Sequence, residues 1–406
     1  LGLSRQFQML LMMNAVGNVI FIYIEIFVNF YIWQQGYRIS DVAWFNLVLF
    51  AVWGVSFCGG AELCMRYSIR LLNALSACFG AVAFGMLSLL VLDNRLLWIA
   101  CIAVPVGVMW GLFSTAQNLG ISLAGKDGDK DFGHYFAILG AVIQVLNVTV
   151  PLASALVIMA FGYYGSFLLL LLFIAVMFVV SFFLPHISLK NLESPAERWI
   201  DNVLPKRVFF AKGMALWIPI SLATGLFYQF QSIFKLLFTF SVTEDKLLIA
   251  LLNTSYTVAV LVSLYFYRKL QFANRVWMLV GIVFITGGYL FILYPVAPLL
   301  IVSNILTTVG AYYFNVSYSA QQLELIHNLT AIQKARLLVW RECLICFSRC
   351  VMLLLILPVS EFQGTYFVLL LGISFASLFS IPILQGKMMQ LFAGAQRTRS
   401  QKFHSS

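Results

Sequence analysis

Arg336-Leu-Leu-Val-Trp-Arg341-Glu342-Cys343-Leu-Ile-Cys346-Phe-Ser-Arg349-Cys350-Val-Met352 runs on through Leu-rich sequence to Pro358. The stretch is long and apolar enough to cross a bilayer, yet Arg349 sits near its middle, with Arg341 and Glu342 two turns earlier. An ionisable side chain at membrane depth costs roughly 2.5–3.5 kcal/mol on insertion scales, so it is expected to face a partner or a water-filled cavity. On a helix Glu342 and Arg349 share a face, with Cys346 between them. A charged stripe inside a spanning helix calls for neighbours that shelter it.

Composition agrees. Of 406 residues 62% are hydrophobic and only 10% charged, against about 25% charged in soluble domains. The formal charge of +10 does not point to nucleic acid, because the basic residues cluster in short gaps between apolar runs, as topology signals do. Seven cysteines lie mostly within apolar segments, which is no secreted disulfide framework. Cys343, Cys346 and Cys350 share a helix face. Without a histidine or acidic cluster beyond Glu342 they read as small residues for helix packing, and neither metal nor cofactor is expected.

Breaks at charged or Gly/Pro gaps leave twelve spanning runs, at 7–33, 42–63, 71–92, 96–122, 136–160, 164–184, 212–240, 246–266, 276–294, 297–323, 336–359 and 365–386. Within lipid every backbone polar group must be satisfied internally, so each run is expected to be a helix. The expected fold is an all-α membrane protein of two six-helix halves, 1–184 and 212–387, with a linker at 185–211 and a tail at 388–406. In the linker, Ser194-Pro195-Ala196-Glu197 is a capping box, and Trp199, Ile200, Val203 and Leu204 form an apolar face before Pro205. This predicts a short helix on the membrane surface. Placing both termini in the cytoplasm puts Arg66, Arg70, Lys190, Arg198, Arg268, Lys269 and Arg275 inside and leaves only Arg38, Arg95 and Lys246 outside. The halves also look like repeats. Ser114-Thr-Ala-Gln117-Asn-Leu matches Tyr318-Ser-Ala-Gln-Gln322-Leu, and Asn46 matches Asn253, both at an offset of about 205 residues.

Polar side chains line up on four runs. The first carries Asn14, Asn18, Glu25 and Asn29, within about 60° of one another at 100° per residue. The seventh carries Thr224, Tyr228, Gln231 and Lys235; the tenth Asn304, Thr308, Tyr312, Asn315, Ser319 and Gln322; the fourth Trp110, Ser114 and Gln117. Single amides often glue helices together, but four aligned stripes, two of them charged, point to a shared polar interior.

With these stripes in two halves, the sequence resembles the major facilitator superfamily of secondary transporters. Its signature between the second and third helices is Gly-x-Leu-Ala-Asp-Arg-x-Gly-Arg-Arg. Here the stretch is Ala61-Glu62-Leu63-Cys64-Met65-Arg66-Tyr67-Ser68-Ile69-Arg70. Leu63, Arg66 and Arg70 match; both glycines and the aspartate are lost, with Glu62 near enough to replace the acid. Arg341-Glu342 followed by Ser348-Arg349 is similar to the Arg-Glu…Gly-Arg pattern of a poorly characterised bacterial branch.

The resemblance implies alternating access in the bacterial inner membrane, with Glu62, Arg66 and Arg70 forming a gating loop. A central site is expected to draw on Asn18, Asn29, Trp110, Gln117, Tyr228, Gln231, Lys235, Tyr312, Asn315 and Arg349. Glu25 and Glu342 are the candidates for proton coupling. Cations beside a carboxylate favour a small anionic or zwitterionic solute, with the proton and the bilayer as the other partners of a monomer. Two alternatives stay open, a lipid flippase on the same fold and a non-transporting membrane sensor. An enzyme is not expected, since the four histidines lie outside the spans and there is no phosphate-binding glycine loop.

Overall fold

The computed structural model describes residues 5–90, 92–124, 129–187, 214–270, 272–294, 296–326, 331–362 and 364–404. The expected surface helix of the linker lies outside them. Among the described residues the chain is all helical. Helix α1 is Arg5–Gln34, α2 Ile39–Arg66, α3 Ile69–Leu89 and α4 Arg95–Ala124. A continuous run, Asp129–Phe183, is broken at Gly162, whose φ of 69° and ψ of −179° are not helical. We number its two rods α5 (129–161) and α6 (163–183). Then come α7, Trp217–Val242; α8, Lys246–Leu270; α9, Asn274–Phe291; α10, Ala297–Ile326; α11, Ala331–Ile356; and α12, Thr365–His404.

Nine helices among the described residues are long and apolar enough to cross a membrane, counting 138–183 as one. Trp217–Val242 and Ala331–Ile356 match them in length but are not among the nine. They hold Gln229, Gln231 and Lys235, and Arg336, Arg341, Glu342 and Arg349, respectively. Helix α12 continues past the expected end at 386. Beyond Gly386 the sequence is rich in Gln, Met, Ala, Arg and Lys, which favour helix, and no proline stops it.

Aromatic side chains pack at corresponding places in the first six helices and the last six. In the first half Tyr23 of α1, Phe84 of α3 and Phe167 of α6 meet, with ring centroids 6.1–6.4 Å apart. In the second, Phe230 of α7 stands 5.5 Å from Tyr289 of α9 and 6.2 Å from Phe367 of α12. The same three helix positions supply an aromatic each time. Helix α6 exposes Leu168, Leu172, Val179 and Phe183, as a lipid-facing helix should.

The two main contacts between the first six helices and the last six are α2 against α11 and the 129–183 run against α8. On the first, Gly54 leaves room for Cys346, whose Cβ would lie 3.1 Å from a Cβ at residue 54. The Cys350 thiol points to the Leu47 carbonyl at 3.8 Å, and the thiols of Cys58 and Cys343 are neighbours. All seven cysteines are free, and those of α11 pack against the opposite half.

A candidate solute site between the two halves

The aligned stripe of α1 is divided among four neighbouring helices. Residues 24–28 form one turn of π-helix, closed by the backbone N–H of Asn29 on the Ile24 carbonyl, five residues back; the Asn29 side-chain amide donates to the same carbonyl at 3.3 Å. That extra residue per turn rotates the remainder of α1, so the 100° arithmetic fails here. Asn14 bonds to Gln117 at 2.6 Å and Tyr135 at 3.0 Å. Asn29 is buried and accepts from Asn46 of α2 at 2.8 Å. Asn18 is half-buried and donates to the Asn14 carbonyl at 2.8 Å. Only Glu25 turns to the other half, where its Oε1 lies 3.9 Å from Lys235 Nζ on α7.

The α7 stripe is used mostly against α10. The hydroxyls of Thr224 and Tyr318 are 3.3 Å apart, Tyr228 donates to Asn315, and Gln231 donates to the Thr307 carbonyl at 3.0 Å. Asn304 donates to the carbonyl of Lys235 at 3.1 Å. These rungs run in antiparallel order down both helices and hold them together.

Several expected site residues are therefore placed differently. Gln117 is buried within the first half, where Asn14 and Asn73 occupy its amide; Asn29 is bound to α2 and to its own helix. Tyr312 packs with Tyr313, which itself packs against Trp277 of α9. For Gln117 and Asn29 the amide on a polar stripe is satisfied by an adjacent helix. Glu342 pairs with its neighbour Arg341 at 4.0 Å. In the expected gating loop Glu62 and Arg66 are exposed, and among the described residues no ion pair joins them. Arg70 instead donates to the Leu184 carbonyl at 2.5 Å, tying the start of α3 to the end of α6.

What comes together is an aromatic run ending at Arg349. Its guanidinium carbon lies 4.6 Å from the ring centroid of Phe50. Phe50 stacks on Trp53 at 5.4 Å, Trp53 meets Trp110 edge-on at 5.1 Å, and Trp110 meets Phe21 at 4.8 Å. Phe50, Trp53 and Arg341 are absent from the residues expected from sequence. Aromatic residues inside an apolar run carry no periodic signal of their own. Tyr228 lies within electrostatic reach of both Arg341 and Arg349.

This region is rich in unused donors. The indole N–H groups of Trp53 and Trp110 and the Nε groups of Arg341 and Arg349 are buried without a hydrogen-bond partner. Leaving a buried donor unpaired costs about 1–3 kcal/mol, more when charged. Donors contributed by α2, α4 and α11 thus await acceptors. A cavity of about 600 Å³ lies elsewhere, between α9, α10 and α12. The donors and their placement between the halves, rather than that cavity, mark the candidate site.

At one end the halves are shut. Phe30 and Phe240 approach to 5.0 Å, Tyr37 donates to Glu244 at 3.3 Å, and Lys246 lies over the Tyr163 ring at 5.0 Å.

No protein-family model matches the chain, and no curated protein matches it by sequence. Its structure does have solved counterparts. One is a point mutant of the nucleoside transporter NupG, at a TM-score of 0.67 and 15% identity, covering 94% of this chain and 100% of that one. A second is a POT family transporter in complex with 5-aminolevulinic acid, at 0.68 and 12%, covering 95% and 97%. A third is a bacterial homologue of the iron transporter ferroportin in an inward-facing state, at 0.66 and 14%, covering 96% and 99%. The chain has the fold of these transporters, a major-facilitator-type fold.

Proposed function

We propose that the protein is a secondary active transporter that carries a small organic anion or zwitterion by alternating access between its two halves. The observation that carries this reading is the set of unpaired buried donors at the seam, two of them guanidinium groups. A carboxylate or phosphate is acceptor-only and pairs with a guanidinium in bidentate fashion. The indole donors and the faces of Phe50 and Trp53 suit an apolar or planar portion of the same solute. That one fold neighbour was solved with 5-aminolevulinic acid agrees with this class.

In this reading the chain crosses the membrane twelve times with both termini in the cytoplasm, and the lysine and arginine asymmetry of the loops supports that orientation. The shut end at Tyr37 and Glu244 is then the outer one. Glu25 is the proton site. It faces Lys235 across the halves, so protonating the carboxylate would remove an attraction between α1 and α7 and bias the outer end toward opening.

The test is thermal unfolding of the purified protein against panels of organic acids, amino acids, neutral nucleosides and phospholipids. Uptake of each stabilising compound into proteoliposomes under an imposed pH gradient is then measured. Stabilisation and gradient-driven uptake of acids are expected. Stabilisation by nucleosides or lipids alone, with no response to any acid, would overturn the anionic class.

A further inference from the structure

The cavity of about 600 Å³ between α9, α10 and α12 has no part in the seam. It is lined on its apolar side by Leu279 and Ile282 of α9 and by Phe379 and Ile383 of α12. Leu279 is 56% exposed and Ile383 59%, so these walls lie on the outer surface of the bundle, where a membrane protein meets hydrocarbon. The groove ends at Arg275, in the first turn of α9, with Gln390 of α12 among its other polar residues. Gly386 lies beside the arginine, a Cβ there falling 3.5 Å from Arg275 Nη2, ordinary contact distance. Lys387 follows on α12, exposed, and none of the groove's lining residues is acidic.

A gap of this size facing hydrocarbon is filled by lipid, because nothing else in the bilayer core can enter it. Its single charged residue decides which lipid. We propose that the groove binds one anionic phospholipid, its phosphate at Arg275 and one acyl chain between α9 and α12. Basic pockets between helices at the membrane surface select such headgroups, while zwitterionic lipids offer a compensated charge. On the topology proposed above, the lipid comes from the cytoplasmic leaflet. The inference holds whatever solute the seam carries.

The experiment uses the full-length protein, stripped of lipid in detergent. Wild type, Arg275→Gln, Arg275→Lys and Gly386→Leu are each titrated with phosphatidylglycerol, phosphatidylcholine or inorganic phosphate. Bound lipid is counted by native mass spectrometry, and the unfolding midpoint is followed in parallel. Wild type should retain one phosphatidylglycerol and gain thermal stability from it, with little response to phosphatidylcholine. Arg275→Gln should lose about fivefold in retention, the scale of one cation at a lipid surface. Arg275→Lys should keep most of it, and Gly386→Leu should lose it by filling the groove. Equal retention of both lipids, or undiminished retention in both Arg275→Gln and Gly386→Leu, would overturn the proposal. A full effect from inorganic phosphate alone would show a plain anion site and overturn it too. Should Arg275→Gln fail to fold, Gly386→Leu alone decides.

Discussion

Arg349 of α11 stacks its guanidinium 4.6 Å above the ring of Phe50 on α2, joining one half of the bundle to the other through a cation and an aromatic face. The contact leaves Arg349 Nε unbonded. If the solute's acidic group completes this arginine, a planar fork is needed and a lysine will not serve. Arg349→Lys should therefore fold normally and lose about 2 kcal/mol of affinity, roughly thirtyfold, for the acid that stabilises wild type. The check is a thermal-shift titration of both proteins. Equal affinity would remove Arg349 from the site.

Glu25 and Lys235 are 3.9 Å apart but not deeply buried, their side chains being 46% and 27% exposed. An exposed pair of this kind contributes less than about 1 kcal/mol to stability. Glu25→Gln should thus unfold near the wild-type temperature, abolish accumulation driven by a pH gradient, and leave solute exchange measurable in proteoliposomes. Uphill uptake with a normal pH dependence in this variant would place coupling elsewhere, with Glu342 next to test.

The neighbouring thiols of Cys58 and Cys343 belong to helices that must slide or part if the halves rock. Copper phenanthroline should oxidise the pair to a disulfide, the two electrons passing to the copper–oxygen system and the two protons to solvent. A protease site placed in 185–211 would reveal the link as halves that stay joined on a non-reducing gel. Uptake should stop with oxidation and return with reductant, and Cys58→Ser should be immune to both effects.

Asp41 and Arg95 pair at 2.8 Å within the first half, and the aspartate side chain is only 3% exposed. Arg95 also donates to the carbonyls of Gln35 and Ile32, at 2.5 and 3.0 Å, closing the end of α1 over the start of α4. Removing the cation strands a buried carboxylate, which costs about 3–5 kcal/mol. Arg95→Ala should lower the unfolding midpoint sharply, and adding Asp41→Asn should restore part of it.

Topology is checked by labelling single cysteines in intact cells, in a background with the seven native cysteines replaced. Positions Gly36 and Asp245 should react with an impermeant reagent, and Asp129 and Lys190 should not. Reaction at Lys190 would reverse the orientation drawn from the basic loops.

Much of this architecture could be read from residues alone, because lipid allows few choices. A run such as Ser166-Phe-Leu-Leu-Leu-Leu-Leu-Phe reads directly as a spanning helix, and Leu168, Leu172 and Phe183 of that helix are exposed. The site was harder to read. Asn29, Gln117 and Gln231 stand on polar stripes, yet they bond to adjacent helices. An amide has the same spacing whether it faces a cavity or a neighbour, and only the neighbour's position separates the two. Trp53 and Phe50 were hidden for the opposite reason: they sit in an apolar run where an aromatic side chain is expected anyway. The π-turn at 24–28 left no signal in composition, though it decides that Glu25 looks across the halves while Asn29 does not.

The twin aromatic clusters bear on how the chain comes into being. Tyr23, Phe84 and Phe167 all belong to the first half, so their packing can be complete before the ribosome has reached Phe230. Domains made this way fold as units, the earlier one first. Glu25 must then wait in the bilayer, without its partner, until Lys235 is made some 210 residues later. The nascent protein passes through a stage in which half a bundle holds an unmatched carboxylate. That pairing can close only once α7, which carries Lys235, has been inserted.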